Sequence, residues 1–528
     1  MKRRDFINTL GTGAILPFML QGLQVRAFGQ QSPLLNMLAD VACEDRILVM
    51  VQLVGGNDGL NTVIPLDQYA NYKAARPNLA IDETTALKLT DATALHPNLT
   101  GIHKLYKDGL VNIIQNVGYP GQDLSHFRST DIWLTASDSD KVISSGWLGR
   151  WLDTQYPGFP KGYPNTTMAH PVAIQIGNVI STSLASTTAN TGLAFNDPKN
   201  FSNINNYGVG SASNTRFQYQ LSYIRETGLQ IQNFAKPVMD AANKVANKSL
   251  LYPAKNKNQL ADQLKIVAQL IAGGLKTRVY IVTQTGYDTH ASQNTAKPGS
   301  PFAHPVLLQQ LSEAISAFQD DITLLGVHEK VVGMTFSEFG RRIKENANIG
   351  TDHGVAAPLF VFGSNIQSGI VGTNPILPSG GDITFEDNIA MKYDFRSIYA
   401  SILKDWFCVP NNDIKDILYH EFPILPIIKG STTSSVHNKQ VNSSTTLLVS
   451  TPNYTTDSVV ITFYSDGLPL KLSLFDSTGR EVEVLVQNTL PVGEHSIAYN
   501  FSGLSNGKYY LQIQTSRTQN TTPIIIAR

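Results

Sequence analysis

Between residues 46 and 410 the sequence alternates two kinds of apolar pattern, and that alternation confines the chain to one class of fold. The runs RILVMVQLV (46–54), VNIIQNV (111–117), VAIQI (172–176), RVYIVT (278–283), VVGMTF (331–336) and LFVF (359–362) are predominantly apolar and rich in β-branched residues. Such runs suit strands buried on both faces. Between them lie helical patterns: NLTGIHKLYKDG from 98, FQYQLSYIRETGLQIQNFAKPVMDAANKVA from 217, NQLADQLKIVAQLIAG from 258, VLLQQLSEAISAFQDDITLLG from 306 and RSIYASILKDWF from 396. The expected fold over 40–429 is therefore α/β, a mostly parallel sheet with helices on both faces. In that architecture ligands bind beyond the carboxyl ends of the strands.

At 528 residues the chain is longer than one average domain, and a composition break marks a second. GSTTSSVHNKQVNSSTT (430–446) is rich in serine, threonine and asparagine, as expected of a solvated linker. Beyond it, SVVITFY, LKLSLFD, EVEVLV, HSIAYNF, KYYLQIQT and PIIIAR are separated by turns at Asp466-Gly467, Thr478-Gly479, Val492-Gly493 and Asn506-Gly507. This predicts a small all-β sandwich over 447–528. At the other end, residues 1–29 have a basic start, a moderately apolar run and a small-residue exit, which predicts an export signal. Arg3-Arg4 followed by Asp5-Phe6-Ile7 resembles the twin-arginine signal; an ordinary secretory signal is the alternative. After residue 30 no apolar stretch approaches the ~20 residues that span a bilayer. Lysine plus arginine (41) equals aspartate plus glutamate (41), so net charge gives no reason to expect a nucleic-acid partner. Two cysteines, Cys43 and Cys408, exclude a disulfide scaffold and leave a single bridge open.

The strand ends carry the chemistry. GGNDGLN follows the first run, GYPGQDLSHFRSTD follows the second within a loop, QTGYDTH follows RVYIVT, SEFGRR follows VVGMTF, and GTDHG precedes LFVF. Asp58, Ser125, His126, Asp288, His290, Glu338, Asp352 and His353 are thus candidates for one cluster. Carboxylates and imidazoles together suit a divalent cation, with Zn²⁺ or Mn²⁺ foremost and Mg²⁺ or Ca²⁺ also admissible. On this reading the counter-charge of Asp58 is the metal. Each residue also has a structural alternative: Asp58 and Asn61 as turn formers, Ser125-His126 as a helix cap beside a core histidine, Glu338 as a partner of Arg341 or Arg342. His96, His103, His170, His304 and His328 are expected to be structural or surface histidines.

Two resemblances extend this reading. The D-x-x-G-R of Asp476 to Arg480, the G-E-H of Gly493 to His495 and the L-x-x-G-x-Y of Leu504 to Tyr509 resemble the type A carboxyl-terminal sorting domain of the type IX secretion system of Bacteroidetes. That resemblance implies secretion machinery as a partner and passage through the periplasm to the cell surface or beyond. The succession GGNDGLNTVIP, ARPNLAI, LHPNL, SHFRSTDIW, GYDTH, FSEFGRR, TDHG and YDFRSIYASILKDWF resembles the bacterial domain of unknown function 1501 family, itself similar to the alkaline phosphatase and sulfatase superfamily. The superfamily pattern implies Ser125 as nucleophile, Asp288, His290 and His353 as one metal site, and Asp58 with Glu338 at a second. Phe339 stands where that pattern has a histidine, so either His126 replaces the missing ligand or one metal binds. Arg128 or Arg341 would hold the oxygens of a phosphate or sulfate ester, from a small molecule or a glycan. The rival expectation is a catalytically silent surface protein of the same fold that binds carbohydrate or an assembly partner.

Overall fold

The computed structural model describes residues 40–430 apart from 188, 199–231, 296–302, 380–381 and 385, together with most of 454–526 and two short paired strands, Phe18–Leu20 and Leu23–Val25. The export signal expected over 1–29 otherwise lies outside the described residues, as do the linker beyond Gly430 and the first half of the helical pattern from 217. Two compact units are present, 1–434 and 435–528.

The first unit is built on a nine-stranded sheet: β1 (Ile47–Val54), β2 (Val111–Gly118), β3 (Ala173–Ile176), β4 (Gly192–Phe195), β5 (Val279–Thr285), β6 (Val331–Phe336), β7 (Ala357–Gly363), β8 (Gly369–Val371) and β9 (Tyr393–Asp394). Its spatial order is β8-β2-β7-β6-β1-β5-β3-β4, with β9 also pairing with β2. All six apolar runs read from the sequence form strands. β1 lies near the centre, where Met50 pairs with Ile281 on one side and Met334 on the other. Ile47 to Val51 are buried without interruption, which is why this run does not alternate. Every pairing is parallel except those of β7, which runs antiparallel to β6 and β2. The amino end of β7 consequently lies at the same sheet edge as the carboxyl ends of β1, β5 and β6.

Seven helices of the unit matter below: α1 (Thr100–Lys107), α2 (His126–Thr135), α3 (Trp147–Gln155), α4 (Gln259–Ala272), α5 (His304–Leu324), α6 (Phe395–Ser401) and α7 (Asn411–Leu418). α5 packs against α1 and α4. A separate aromatic group joins α2, α3 and α6: Trp133 stacks on Phe395 at 4.3 Å and Trp147 on Tyr399 at 4.1 Å. The segment SHFRSTD, expected as loop, instead begins α2. Its spacing buries Ser129, Ile132 and Trp133 on one face, a helical signal too short to separate from a loop by periodicity. Cys43 and Cys408 form a disulfide with Cα atoms 6.1 Å apart, joining segments 365 residues distant in sequence.

The second unit has a five-stranded sheet, in the order Tyr454–Thr455, Gln519–Ile526, Gly507–Thr515, Pro469–Asp476, Glu481–Thr489, and a two-stranded one, Ser458–Ser465 with Gly493–Asn500. Ile461 and Phe463 of the smaller sheet share a core with Leu472, Leu474, Leu511 and Ile513 of the larger, the expected sandwich. The D-x-x-G-R turn has a local cause: Gly479 takes φ +85°, and Asp476 accepts hydrogen bonds from the Arg480 backbone at 3.1 Å and from its guanidinium at 3.2 Å. Among the described residues no helix is long and apolar enough to cross a membrane.

Candidate metal centre

Four side chains from three places in the sequence converge at the edge where β1, β5 and β6 end. β5 leads into Asp288 and His290, α2 begins with His126, and His353 lies in a two-residue ribbon with Gly340–Arg341 just before β7. Asp288 is the common neighbour: its Oδ1 lies 3.2 Å from His290 Nε2 and 3.4 Å from His353 Nε2, and its Oδ2 lies 3.6 Å from His126 Nε2. The Nε2 atoms of His290 and His353 are 3.0 Å apart.

The outer nitrogens fix the inner ones. His353 Nδ1 sits 2.7 Å from the Leu124 carbonyl, which can only accept, so the ring donates its Nδ1 proton there. His290 Nδ1 faces Asp352 Oδ1 at 3.1 Å, and His126 Nδ1 faces Glu338 Oε1 at 2.8 Å. Three imidazoles thus turn Nε2 lone pairs toward one carboxylate, the arrangement in which acceptors behind the ring set the tautomer of a metal ligand. Lone pairs facing each other at 3.0 Å repel unless a proton or cation lies between them. The ligand atoms of His126, Asp288 and His353 all lie within 4.8 Å of one another, and His290 Nε2 lies beside two of the three, Asp288 and His353. His126 Nε2 is in addition buried without any hydrogen-bond partner. The donor set of His126, Asp288 and His353, one hard oxygen and two imidazoles, fits a divalent ion such as Zn²⁺, with His290 adjacent.

The double glycine after β1 makes room for this centre. A Cβ on Gly55, which has φ +125°, would stand 2.2 Å from the Asp288 backbone nitrogen, and one on Gly56, with φ +81°, would stand 2.3 Å from the Phe339 ring. Phe339 is buried, with its ring 4.9 Å from that of His126 and 4.4 Å from that of His353. It is a dry wall between two histidines.

Several expected roles are reassigned. Asp58 is fully buried with Arg76 as its counter-charge, at 2.6 and 2.8 Å, and accepts also from Gln293. It therefore has no free face for a cation. Glu338 is buried, and its Oε1 accepts from His126 and from the Gly55 N–H at 2.9 Å, so it orients a histidine. Arg341 is buried too. Its guanidinium donates to the carbonyls of Gly56 at 2.8 Å and Thr351 at 2.7 Å and to Asp288 at 2.8 Å, which positions that carboxylate and leaves the group no route to a substrate. Arg128 pairs with Asp131 and donates to the carbonyls of Asp138, Ser139 and Lys141, tying down the loop after α2. Ser125 is exposed at the N-cap of α2, between Leu124, which holds His353, and His126; its side chain makes no capping hydrogen bond.

Electrostatics agree with this division. Burial pushes the Asp58 and Asp288 carboxyls up, but Arg76 with His304 and Gln293 for the first, and Arg341 with His290 and His126 for the second, together hold both below the usual carboxylate value. The hydrogen bond to Glu338 raises the His126 pKa, whereas burial lowers that of His353. A cation would displace the His126 proton. His96 and His304 are buried structural histidines, as expected, pushed by burial to about 3 and about 4.

His290, His353 and Asp352 open onto a cleft of about 520 Å³ that Arg342, Asn346 and Glu386 also line. Arg76, Asn346 and Ser129, which donates to the Glu338 carbonyl, were not singled out from the sequence, and Arg342 was named only as a salt-bridge partner for Glu338; the structure pairs it with Glu386 instead. A buried Asp58 demands a cationic partner, but nothing local names the arginine 18 residues on.

The chain belongs to the family described as protein of unknown function, DUF1501, whose model matches residues 113–418. Residues 451–527 match the secretion system C-terminal sorting domain. A comparison with curated proteins finds no match. Solved structures similar to the chain include an alkaline phosphatase superfamily protein from Vibrio parahaemolyticus (10% identity, 69% of this chain and 67% of that one, TM-score 0.33). Others are the PsFucS1 sulfatase from Pseudoalteromonas sp. (12%, 89% and 87%, 0.35) and the alkaline phosphatase of the Antarctic bacterium TAB5 (8%, 71% and 98%, 0.26). At these TM-scores the similarity is too loose to carry chemistry to this chain.

Proposed function

We propose that this DUF1501 chain is an exported hydrolase of phosphate or sulfate esters that works with one divalent cation held by His126, Asp288 and His353, with His290 beside them. The observation that carries the reading is the convergence of three Nε2 atoms on Asp288, each ring fixed from behind, with two of the rings, His290 and His353, lining an open cleft. When bound, such a cation supplies Lewis acidity, lowering the pKa of a hydroxyl or water and offsetting charge on the ester. Ser125, exposed between Leu124, which lines the cleft, and His126, offers a hydroxyl as nucleophile. Glu338 and Asp352 keep His126 and His290 in the ligating tautomer, Arg341 keeps Asp288 ionised, and Phe339 excludes water from behind the rings. The sorting domain indicates secretion to the cell surface or outside; the route proposed is twin-arginine export to the periplasm and then the type IX machinery.

Elemental analysis of the purified full chain tests the centre. One tightly held ion per chain is expected, lost on Asp288→Ala or His353→Ala, whereas Ser125→Ala abolishes hydrolysis of aryl phosphates and sulfates without loss of metal. Protein that carries no metal and takes up none from added Zn²⁺ or Mn²⁺ refutes the reading.

A further inference from the structure

The reassignment of Arg128 and Arg341 leaves the oxyanion of an ester without its expected partner, and the cleft holds a third arginine. Arg342 lines it together with His290 and His353. Its backbone is pinned on both sides: the N–H donates to the Asp352 carbonyl at 3.0 Å and the carbonyl accepts from buried Arg76 at 2.7 Å. The side chain donates from Nε to the His353 carbonyl at 3.3 Å and from a terminal nitrogen to Glu386 at 2.7 Å. The arginine side chain is 20% exposed and the glutamate 83%. One end of the pair is therefore fixed beside the metal centre and the other hangs in solvent.

We infer that Arg342 is the oxyanion-binding residue of the cleft and that the Glu386 carboxylate is an internal stand-in that occupies it until an ester arrives. This rests on the reading of the site as an ester hydrolase. A guanidinium presents the same planar fork to a carboxylate and to two oxygens of a phosphate or sulfate. An ion pair this exposed is weak and screened by salt, so an anion held also by the neighbouring centre displaces it readily. The root of Arg342 stays where Asp352 and Arg76 hold it, and the exposed glutamate is the partner that swings away.

The test is a titration of the full chain, as purified, with inorganic phosphate and separately with sulfate, followed by calorimetry. Arg342→Gln is expected to weaken binding roughly tenfold to a hundredfold, the worth of a charge-assisted hydrogen bond, with metal content and unfolding midpoint unchanged; Arg342→Lys, which keeps the charge but loses the fork, should fall between. Glu386→Gln should act in the opposite sense, tightening both anions by about twofold to fivefold as the competitor is removed. Phosphate and sulfate affinities in one variant series distinguish the two ester classes. Unchanged anion affinity in Arg342→Gln, or weaker binding in Glu386→Gln, overturns the inference. Anion affinity is read apart from metal content and turnover, so this inference and the proposed function fail on different measurements.

Discussion

Replacing Asp58 or Arg76 separates two accounts of the stretch that follows β1. If Asp58 faced a cation, Asp58→Asn would strip metal and Arg76 would matter little. The structure makes the opposite prediction. Both side chains are fully buried, two contacts of 2.6 and 2.8 Å join them, and Arg76 also donates to Asn61, to the Ile343 carbonyl and to the Arg342 carbonyl. Arg76→Met leaves a carboxylate in the interior with only Gln293 for company and two carbonyls without their donor, a loss of about 3–5 kcal/mol. Asp58→Asn leaves Arg76 with its three other acceptors and should cost about 2–3 kcal/mol. The double variant should lose less than the sum, since the partners share one network. All four tryptophans, Trp133, Trp147, Trp151 and Trp406, lie in the first unit, so their fluorescence in urea follows that unit alone. The Arg76→Met midpoint should fall by on the order of 1 M, with metal retained in both single variants under native conditions. A wild-type midpoint in Arg76→Met, or metal lost from folded Asp58→Asn, refutes the reasoning.

Two further outcomes follow from features of the same unit. Cys43→Ser with Cys408→Ser opens a loop of 365 residues, which by chain entropy alone lowers stability by about 6 kcal/mol; a reductant should shift the unfolding midpoint of the wild type and leave that of the variant unmoved. His96 and His304, held by burial near 3 and 4, bind fewer protons folded than unfolded at every pH between those values and the ordinary 6.5. Their contribution is complete above 6.5 and is lost on acidification through that window, at roughly 1.4 kcal/mol per pH unit for each histidine; urea midpoints from pH 7 to 4.5 should fall less steeply in His304→Asn than in the wild type.

The sheet was legible because its strands are buried on both faces and so announce themselves as largely apolar, β-branched runs without strict alternation. Short edge strands such as Gly192–Phe195 and Gly369–Val371 have no such run, and α2 is too brief for its period to register. Of the centre, the residue types and their strand ends could be read, since sheet topology alone brings Asp288, His290 and His353 to one edge. Which charge answers which could not. Arg76 and Arg341 reach their carboxylates through folds of the chain that leave no local pattern, and Phe339 reads in sequence as a missing ligand although in space it walls off the rings of the two neighbouring histidines.

The bridge between Cys43 and Cys408 also decides how the first unit answers to force. It closes residues 43 to 408 into a covalent ring, from which the rest of the chain continues at both ends of the sequence. Tension applied between the two ends runs from residue 408 through the sulfur atoms to residue 43 and bypasses everything between. A pull on the tail can strip α7, but the nine-stranded sheet and the His126, Asp288, His290 and His353 cluster lie inside a loop that carries no load.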